Sequence, residues 1–258
     1  MTEPTAEQLT NAYREFRLRL TEIGRSLDPA IAGAKTPTCP DWSTKDVLAH
    51  MTGIASDILD GNVAEAATEA WADAQVDKRQ DATLSEVLDE WDAKGPLLED
   101  LLSNVAPAIA FQFYIDAFTH EWDIRQALGT EPVVPDYSLV DHTMRPIMEA
   151  MTERLDDHSL APLDLVIHGL PRGTYRSTFD ASPAARASQP RASIELSAFE
   201  FLRVAMGRRS RDQVDAALDT ANLPEGRWAD AFVFWTMNTR DIVDPVLIEP
   251  VVTDLEAG

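Results

Sequence analysis

The chain has a single cysteine, Cys39, among 258 residues. One thiol excludes an internal disulfide framework, and such scarcity fits a reducing compartment, here the cytoplasm. Long apolar runs are missing too. No stretch of about 18 apolar residues exists, which argues against a membrane-spanning helix. The opening residues Met-Thr-Glu-Pro-Thr-Ala-Glu-Gln lack the basic and apolar regions of a signal peptide. Basic residues are scarce: 22 Lys and Arg face 44 Asp and Glu, a formal net charge of −22. That charge repels nucleic acid and anionic lipid and argues against both as partners. Glycine (11) and proline (16) are too few for a disordered chain or a fibre. Nor is there a Gly-x-Ser-x-Gly, a Walker loop or a dinucleotide glycine fingerprint.

What is present is a chain able to bury a sizeable core, with 45% hydrophobic residues. Its length suits one large or two modest domains. The charge is uneven: residues 1–157 hold 12 Lys and Arg against 30 Asp and Glu, residues 158–258 hold 10 against 14. All ten basic residues of the second part are arginine, so an anion-binding surface belongs there first.

Apolar residues recur at threes and fours over 5–27, through Leu9, Tyr13, Phe16, Leu20 and Ile23, predicting a helix. A Pro- and Thr-rich connection covers 28–42. Ser43, with Asp46 three residues later, caps a second helix to about Asn62. Residues 63–81 fit either a short helix or an exposed loop. A third helix spans 83–104, with Gly95-Pro96 predicting a kink or break. A fourth runs from Pro107 to Leu128, stopped by Gly129, and a further helix covers 137–156. Four long amphipathic helices imply an antiparallel bundle. After Asp157 the pattern changes: Asp164–Gly169, Thr174–Asp180 and Ala192–Ser197 read as strands, with Pro171-Arg-Gly as a hairpin turn. Residues 181–191 read as an exposed loop. Helices follow over 197–206 and 226–238, then an extended tail. The expected architecture is a four-helix bundle over 1–157 and a small α/β domain over 158–258.

Two polar intrusions stand out. Asp116 and His120 lie four apart on a helical face shared with Ile109, Phe113, Ala117, Ile124 and Leu128. His50 interrupts the apolar face of Val47, Met51, Ile54 and Ile58. A carboxylate in such a stripe needs a metal ion, an arginine or a proton to offset its charge. If the second and fourth helices face each other, His50, Asp116 and His120 converge as a ligand set for a divalent metal. The alternative is a buried Asp–His hydrogen bond that only orients the imidazole. His120-Glu121 begins a His-Glu-x-x-His motif, but position 124 is Ile and the motif fails. Cys39 reads as a small buried apolar residue, and His142, His158 and His168 as surface or packing residues.

Two motifs carry a resemblance. Cys39-Pro-Asp-Trp42-Ser-Thr-Lys-Asp46-Val-Leu-Ala-His50-Met resembles Cys-Pro-Gly-Trp-Thr-Val-Arg-Asp-Leu-Val-Ala-His-Leu. Asp116-Ala-Phe-Thr-His120-Glu-Trp122-Asp123-Ile-Arg-Gln-Ala-Leu-Gly129 resembles Glu-x-x-x-His-x-Trp-Asp-Leu-x-x-Ala-x-Gly. Both belong to the mycothiol-dependent maleylpyruvate isomerase family. The resemblance covers residues 5–130 well and the rest loosely. It implies a DinB-like bundle, a sterol-carrier-like C-terminal domain, and a divalent metal on His50, Asp116 and His120. Zinc comes first, with nickel, cobalt or manganese as alternatives. Aspartate stands at 116 where the family carries glutamate, one methylene longer. The resemblance further implies a C-terminal arginine at the cleft, for which Arg208, after Gly207, is the candidate, flanked by Arg203 and Arg209. A helix-end cation is the competing reading of Arg208.

These readings lead to a metal-dependent enzyme that uses a low-molecular-weight thiol, mycothiol by resemblance, for isomerisation or S-transfer on a small electrophile. An actinobacterial source follows from the same resemblance. The alternatives are a non-catalytic metal- and small-ligand-binding protein and a metal-dependent hydrolase. The sequence leaves the oligomeric state open.

Overall fold

A computed structural model of the chain describes residues 4–130, 150–170, 173–180, 189–234 and 242. The chain divides into two compact units, built on Ala6–Val133 and on Val134–Ile242. The sequence places that boundary after 157. The helix over 150–157 instead groups with the second unit, where Arg154 donates to the main-chain carbonyls of Asp230, Ala231 and Val233.

The first unit rests on four long helices: α1 (Ala6–Ser26), α3 (Thr44–Asp60), α5 (Leu84–Leu102) and α6 (Pro107–Ala127). Helix α1 packs on α5 and α6, and α3 packs on the same two, closing the bundle. The core is the stripe the periodicity predicts: Leu9, Tyr13, Phe16 and Leu20 of α1 are buried, and the Phe16 ring meets Tyr114 and Phe118 of α6. Burial pushes the Tyr13 phenol far above its usual value. Ser43 caps α3 by accepting from the Asp46 N–H, while Asp46 accepts from the Ser43 N–H. Gly61 ends α3 at φ 77° and Gly129 follows α6 at φ 65°, both left-handed positions that favour glycine.

Three details differ from the sequence reading. Helix α5 runs through Gly95-Pro96 without a break. A Cβ at Gly95 would lie 2.4 Å from Arg17 Cδ, so glycine admits Arg17 of α1. Arg17 Nε then reaches Glu99 Oε1 at 2.6 Å, tying α1 to the turn after the proline. Helix α6 mixes apolar and polar residues around its circumference, so its pattern does not select the buried face. Ile109 is 49% exposed, and Ala110, Tyr114, Ala117, Phe118, Glu121 and Ile124 are buried. The connection 28–42 is not plain coil. It holds a short helix α2 (Pro29–Ala32) and strands β1 (Lys35–Thr36) and β2 (Cys39–Ser43), paired antiparallel. The undecided stretch 63–81 contains helix α4 (Glu69–Asp77), capped by Thr68 and packed on α3.

The second unit begins with α7, described over residues 150–157. A three-stranded sheet follows, of β3 (Leu163–Leu170), β4 (Gly173–Phe179) and β5 (Ala192–Ser197), in the order β4-β3-β5. Strand β3 pairs antiparallel with β4 and parallel with β5. Helix α8 (Ala198–Ala205) is capped by Ser197 and followed by Gly207 at φ 70°. Helix α9 (Arg211–Leu218) was not anticipated, because only Val214 and Leu218 mark its buried side. The last helix, expected over 226–238, is α10 (Trp228–Phe232), ending at extended Val233. Residues 235–238, most of the 181–191 loop, most of 137–156 with His142, and the tail after Ile242 lie outside the described residues. No helix among the described residues is long and apolar enough to cross a membrane.

Candidate metal centre

Helix α3 delivers His50 from a face otherwise made of Val47, Met51 and Ile54. Helix α6 delivers Asp116 and His120, one turn apart. His120 Nε2 lies 3.6 Å and His50 Nε2 3.9 Å from the same oxygen, Asp116 Oδ1. One ligand atom from each of the three residues lies within 4.8 Å of the other two. The separations exceed hydrogen-bond length. Ligands about 2.0–2.2 Å from a tetrahedral ion lie about 3.3–3.6 Å from one another, close to the spacing here. Both histidines are 6% exposed, whereas the Asp116 side chain is 33% exposed. The Trp42 ring, on β2, lies 5.1 Å from the His50 ring and 6.4 Å from the His120 ring, walling the centre.

Each imidazole is gripped by its other nitrogen. His120 Nδ1 is 3.0 Å from Asp123 Oδ2, a fully buried carboxylate one turn along α6. The Cys39 thiol donates to the same oxygen at 3.4 Å. Cys39 is therefore a polar partner, not the apolar packing residue the sequence suggested. His50 Nδ1 is 2.8 Å from Gln75 Oε1 on α4, and Gln75 Nε2 donates to Asp57 Oδ2 at 3.0 Å. Ligand histidines held in this way by outer acceptors are a regular feature of metal centres. Cys39, His120 and Asp123 form a second close cluster, but there His120 Nδ1 and Asp123 already bond each other.

Electrostatics favour a cation here. Burial works against a charged His120, yet Asp116, Asp123 and the Cys39 contact outweigh it and raise its pKa from 6.5 to about 10. With Nδ1 turned to Asp123, the extra proton sits on Nε2, facing Asp116. A metal ion would take that proton's place.

Arg208 belongs to the second unit, where its Nη1 donates to the Met206 carbonyl at 2.8 Å, at the C-terminal end of α8. Of its flanking arginines, Arg203 lies over the Phe199 ring and Arg209 grips both oxygens of Glu200. His168 lies on the sheet beside Thr174 and Glu195. Sequence reasoning missed Asp57, Gln75 and Asp123 as parts of the centre. The His120–Asp123 spacing of three was a usable signal; Gln75 had none, because its helix was undecided.

Residues 13–112 match the family model described as the mycothiol maleylpyruvate isomerase N-terminal domain. That is the family the two motifs resemble. The match takes in α3 with His50 and stops short of Asp116 and His120. No curated protein matches the chain. A solved structure of a histidine-to-alanine mutant of mycothiol-dependent maleylpyruvate isomerase superposes with a TM-score of 0.52 at 13% identity. It covers 88% of this chain and 99% of that one. A second structure of that isomerase gives 0.50 at 12% identity, covering 81% and 92%. At such identity the likeness speaks to the fold: a helical bundle followed by a small α/β unit.

Proposed function

We propose, from the match of residues 13–112 to the mycothiol maleylpyruvate isomerase N-terminal domain model, that this chain is a metal-dependent enzyme acting with a low-molecular-weight thiol. The thiol is mycothiol, and the reaction is isomerisation or S-transfer on a small electrophile. The observation that carries the reading is the convergence of His50 Nε2, His120 Nε2 and Asp116 Oδ1, with both Nδ1 atoms held from behind. Two imidazoles and a carboxylate suit zinc first, with nickel, cobalt or manganese as alternatives.

A divalent metal held by these residues supplies the Lewis acidity that brings a thiol, of pKa about 8.5 when free, to its thiolate at neutral pH. The chain does the rest. Asp116 offsets part of the cationic charge. His120 would release its Nε2 proton to solvent on becoming a ligand. Trp42 and the buried rings keep water from the inner side, and the exposed flank of Asp116 is the side of entry. In isomerisation the thiolate adds to a conjugated carbon, the former double bond rotates, and the thiolate leaves. In S-transfer the adduct is the product. Arg208 enters by family resemblance, as the binder of a substrate carboxylate through paired hydrogen bonds.

The test is metal analysis of the purified chain, followed by titration of its cobalt form with a small thiol. Stoichiometric metal and a thiolate-to-cobalt charge-transfer band are expected. Asp116→Ala should bring metal content to background; full retention would sink the ligand assignment. Arg208→Ala should weaken substrate use with metal content intact, and unchanged kinetics would remove it. Metal without the thiol band points to a non-catalytic binding protein, and turnover without thiol to a hydrolase.

A further inference from the structure

The two imidazoles of the centre are held by chemically different acceptors. Behind His120 stands a carboxylate, Asp123. Behind His50 stands a neutral amide, Gln75, and only behind that a carboxylate, Asp57. We infer that Gln75, steered by Asp57, is a positioning residue that locks His50 as the Nδ1–H tautomer and turns its Nε2 lone pair toward Asp116 and His120.

A carboxylate only accepts hydrogen bonds. The Gln75 group 3.0 Å from Asp57 Oδ2 is therefore its NH₂, which turns Oε1 toward His50. An amide oxygen also only accepts, so His50 Nδ1, 2.8 Å away, carries the hydrogen. A neutral imidazole has one N–H, so Nε2 keeps its lone pair. That nitrogen is the one 3.9 Å from Asp116 Oδ1. Free imidazole side chains prefer the opposite tautomer, which would point a hydrogen at the centre. The relay is closed to water: Gln75 is 1%, His50 6% and Asp57 7% exposed.

The surrounding packing serves the same contact. Gly53 on α3 faces Gln75, and a Cβ there would lie 2.4 Å from Gln75 Cβ. Helix α4 is pinned by Arg79, whose Nη1 donates to the Gln75 carbonyl at 3.0 Å and whose Nε donates to Glu90 of α5 at 2.9 Å. Ser56 of α3 donates to the same Glu90 at 2.6 Å. A nine-residue helix with little apolar surface is thus fastened to α3 and α5, and Gln75 is its buried polar residue at the centre.

The inference deepens the metal reading, and its test separates the two. Imidazole nitrogen spectra of the ¹⁵N-labelled, metal-free full chain report each tautomer, with His50 assigned by its loss in His50→Ala. The wild type should show His50 with hydrogen on Nδ1. Gln75→Leu should move it toward the Nε2–H form. So should Asp57→Asn, a near-isosteric change that frees the Gln75 amide to flip. Zinc affinity, read by competition with a chromophoric chelator, should fall about 10–100-fold in both variants. A wild-type His50 with hydrogen on Nε2, or a tautomer unchanged in both variants, overturns the inference even if zinc binds. Expected tautomers without zinc uptake by the wild type uphold it and overturn the metal reading instead.

Discussion

His120 meets a carboxylate at each ring nitrogen, Asp116 at 3.6 Å and Asp123 at 3.0 Å. Burial alone would discharge it, but the carboxylates prevail and its pKa rises from 6.5 to about 10. The sign of the linkage follows. In the metal-free protein the bound proton contributes stability that is fully present below pH 6.5 and is lost as pH climbs through about 10. Thermal melts of metal-free protein should therefore show this contribution declining across that window, and declining less in Asp123→Asn. Metal binding displaces the same proton, so affinity should fall roughly tenfold per unit of acidification below about pH 10. Chelator competition across neutral pH measures the slope. A flat profile would mean that His120 is not a ligand.

At the scale of elements, close approaches between helices hold the centre's geometry. Gly53→Ala drives a methyl against the stem of Gln75, where little can yield. The expected cost is about 1–3 kcal/mol in chemical denaturation, together with weaker metal binding because α4 is pushed off His50. The junction of α1 and α5 rests on Arg17 and Glu99, whose side chains are 6% and 4% exposed and lie 2.6 Å apart. Arg14 shares Glu99 at 2.7 Å. Glu99→Ala leaves the buried Arg17 only the half-exposed Asp92, 3.4 Å away, as counter-charge, and unfolding should become easier by up to about 3–5 kcal/mol. Both changes are read by equilibrium unfolding, and only the first should alter metal affinity. The bundle also shows why α5 survives its Gly-Pro pair: the local penalty acts on one turn, while α1 packs along the whole helix.

For the whole molecule, the balance of charge makes a cation welcome. A chain of formal charge −22 concentrates divalent ions near its surface, and the first unit carries most of the excess. A ligand that binds only the folded form stabilises it by about 2.7 kcal/mol at 100 times its Kd. Zinc in that excess should raise the melting temperature of the wild type, and a chelator should reverse the rise. His50→Ala should abolish the shift; an undiminished shift in that variant would place the metal elsewhere. The separation into two units means that, if two transitions are seen, this stabilisation should shift the one that belongs to the first unit.

Residue pattern alone determined the four bundle helices, the Ser43–Asp46 cap, the stop at Gly129, and the three strands of the second unit. These depend on interactions within a few residues or on a repeated period, both written along the chain. It also put His50, Asp116 and His120 on faces that would meet if α3 and α6 met. Tertiary structure alone decided the rest. The buried side of α6 was not legible because apolar and polar residues are mixed around that helix, and packing, as of Tyr114 and Phe118 on Phe16 of α1, selects it. Helix α4 has two buried residues, Trp71 and Gln75, too few for a period. Gln75 and Asp57 are 18 residues apart, and the role of each depends on where the other's hydrogen-bonding atoms point. Local preference can place a residue on a face, but only the folded bundle decides which atom it turns to its neighbour.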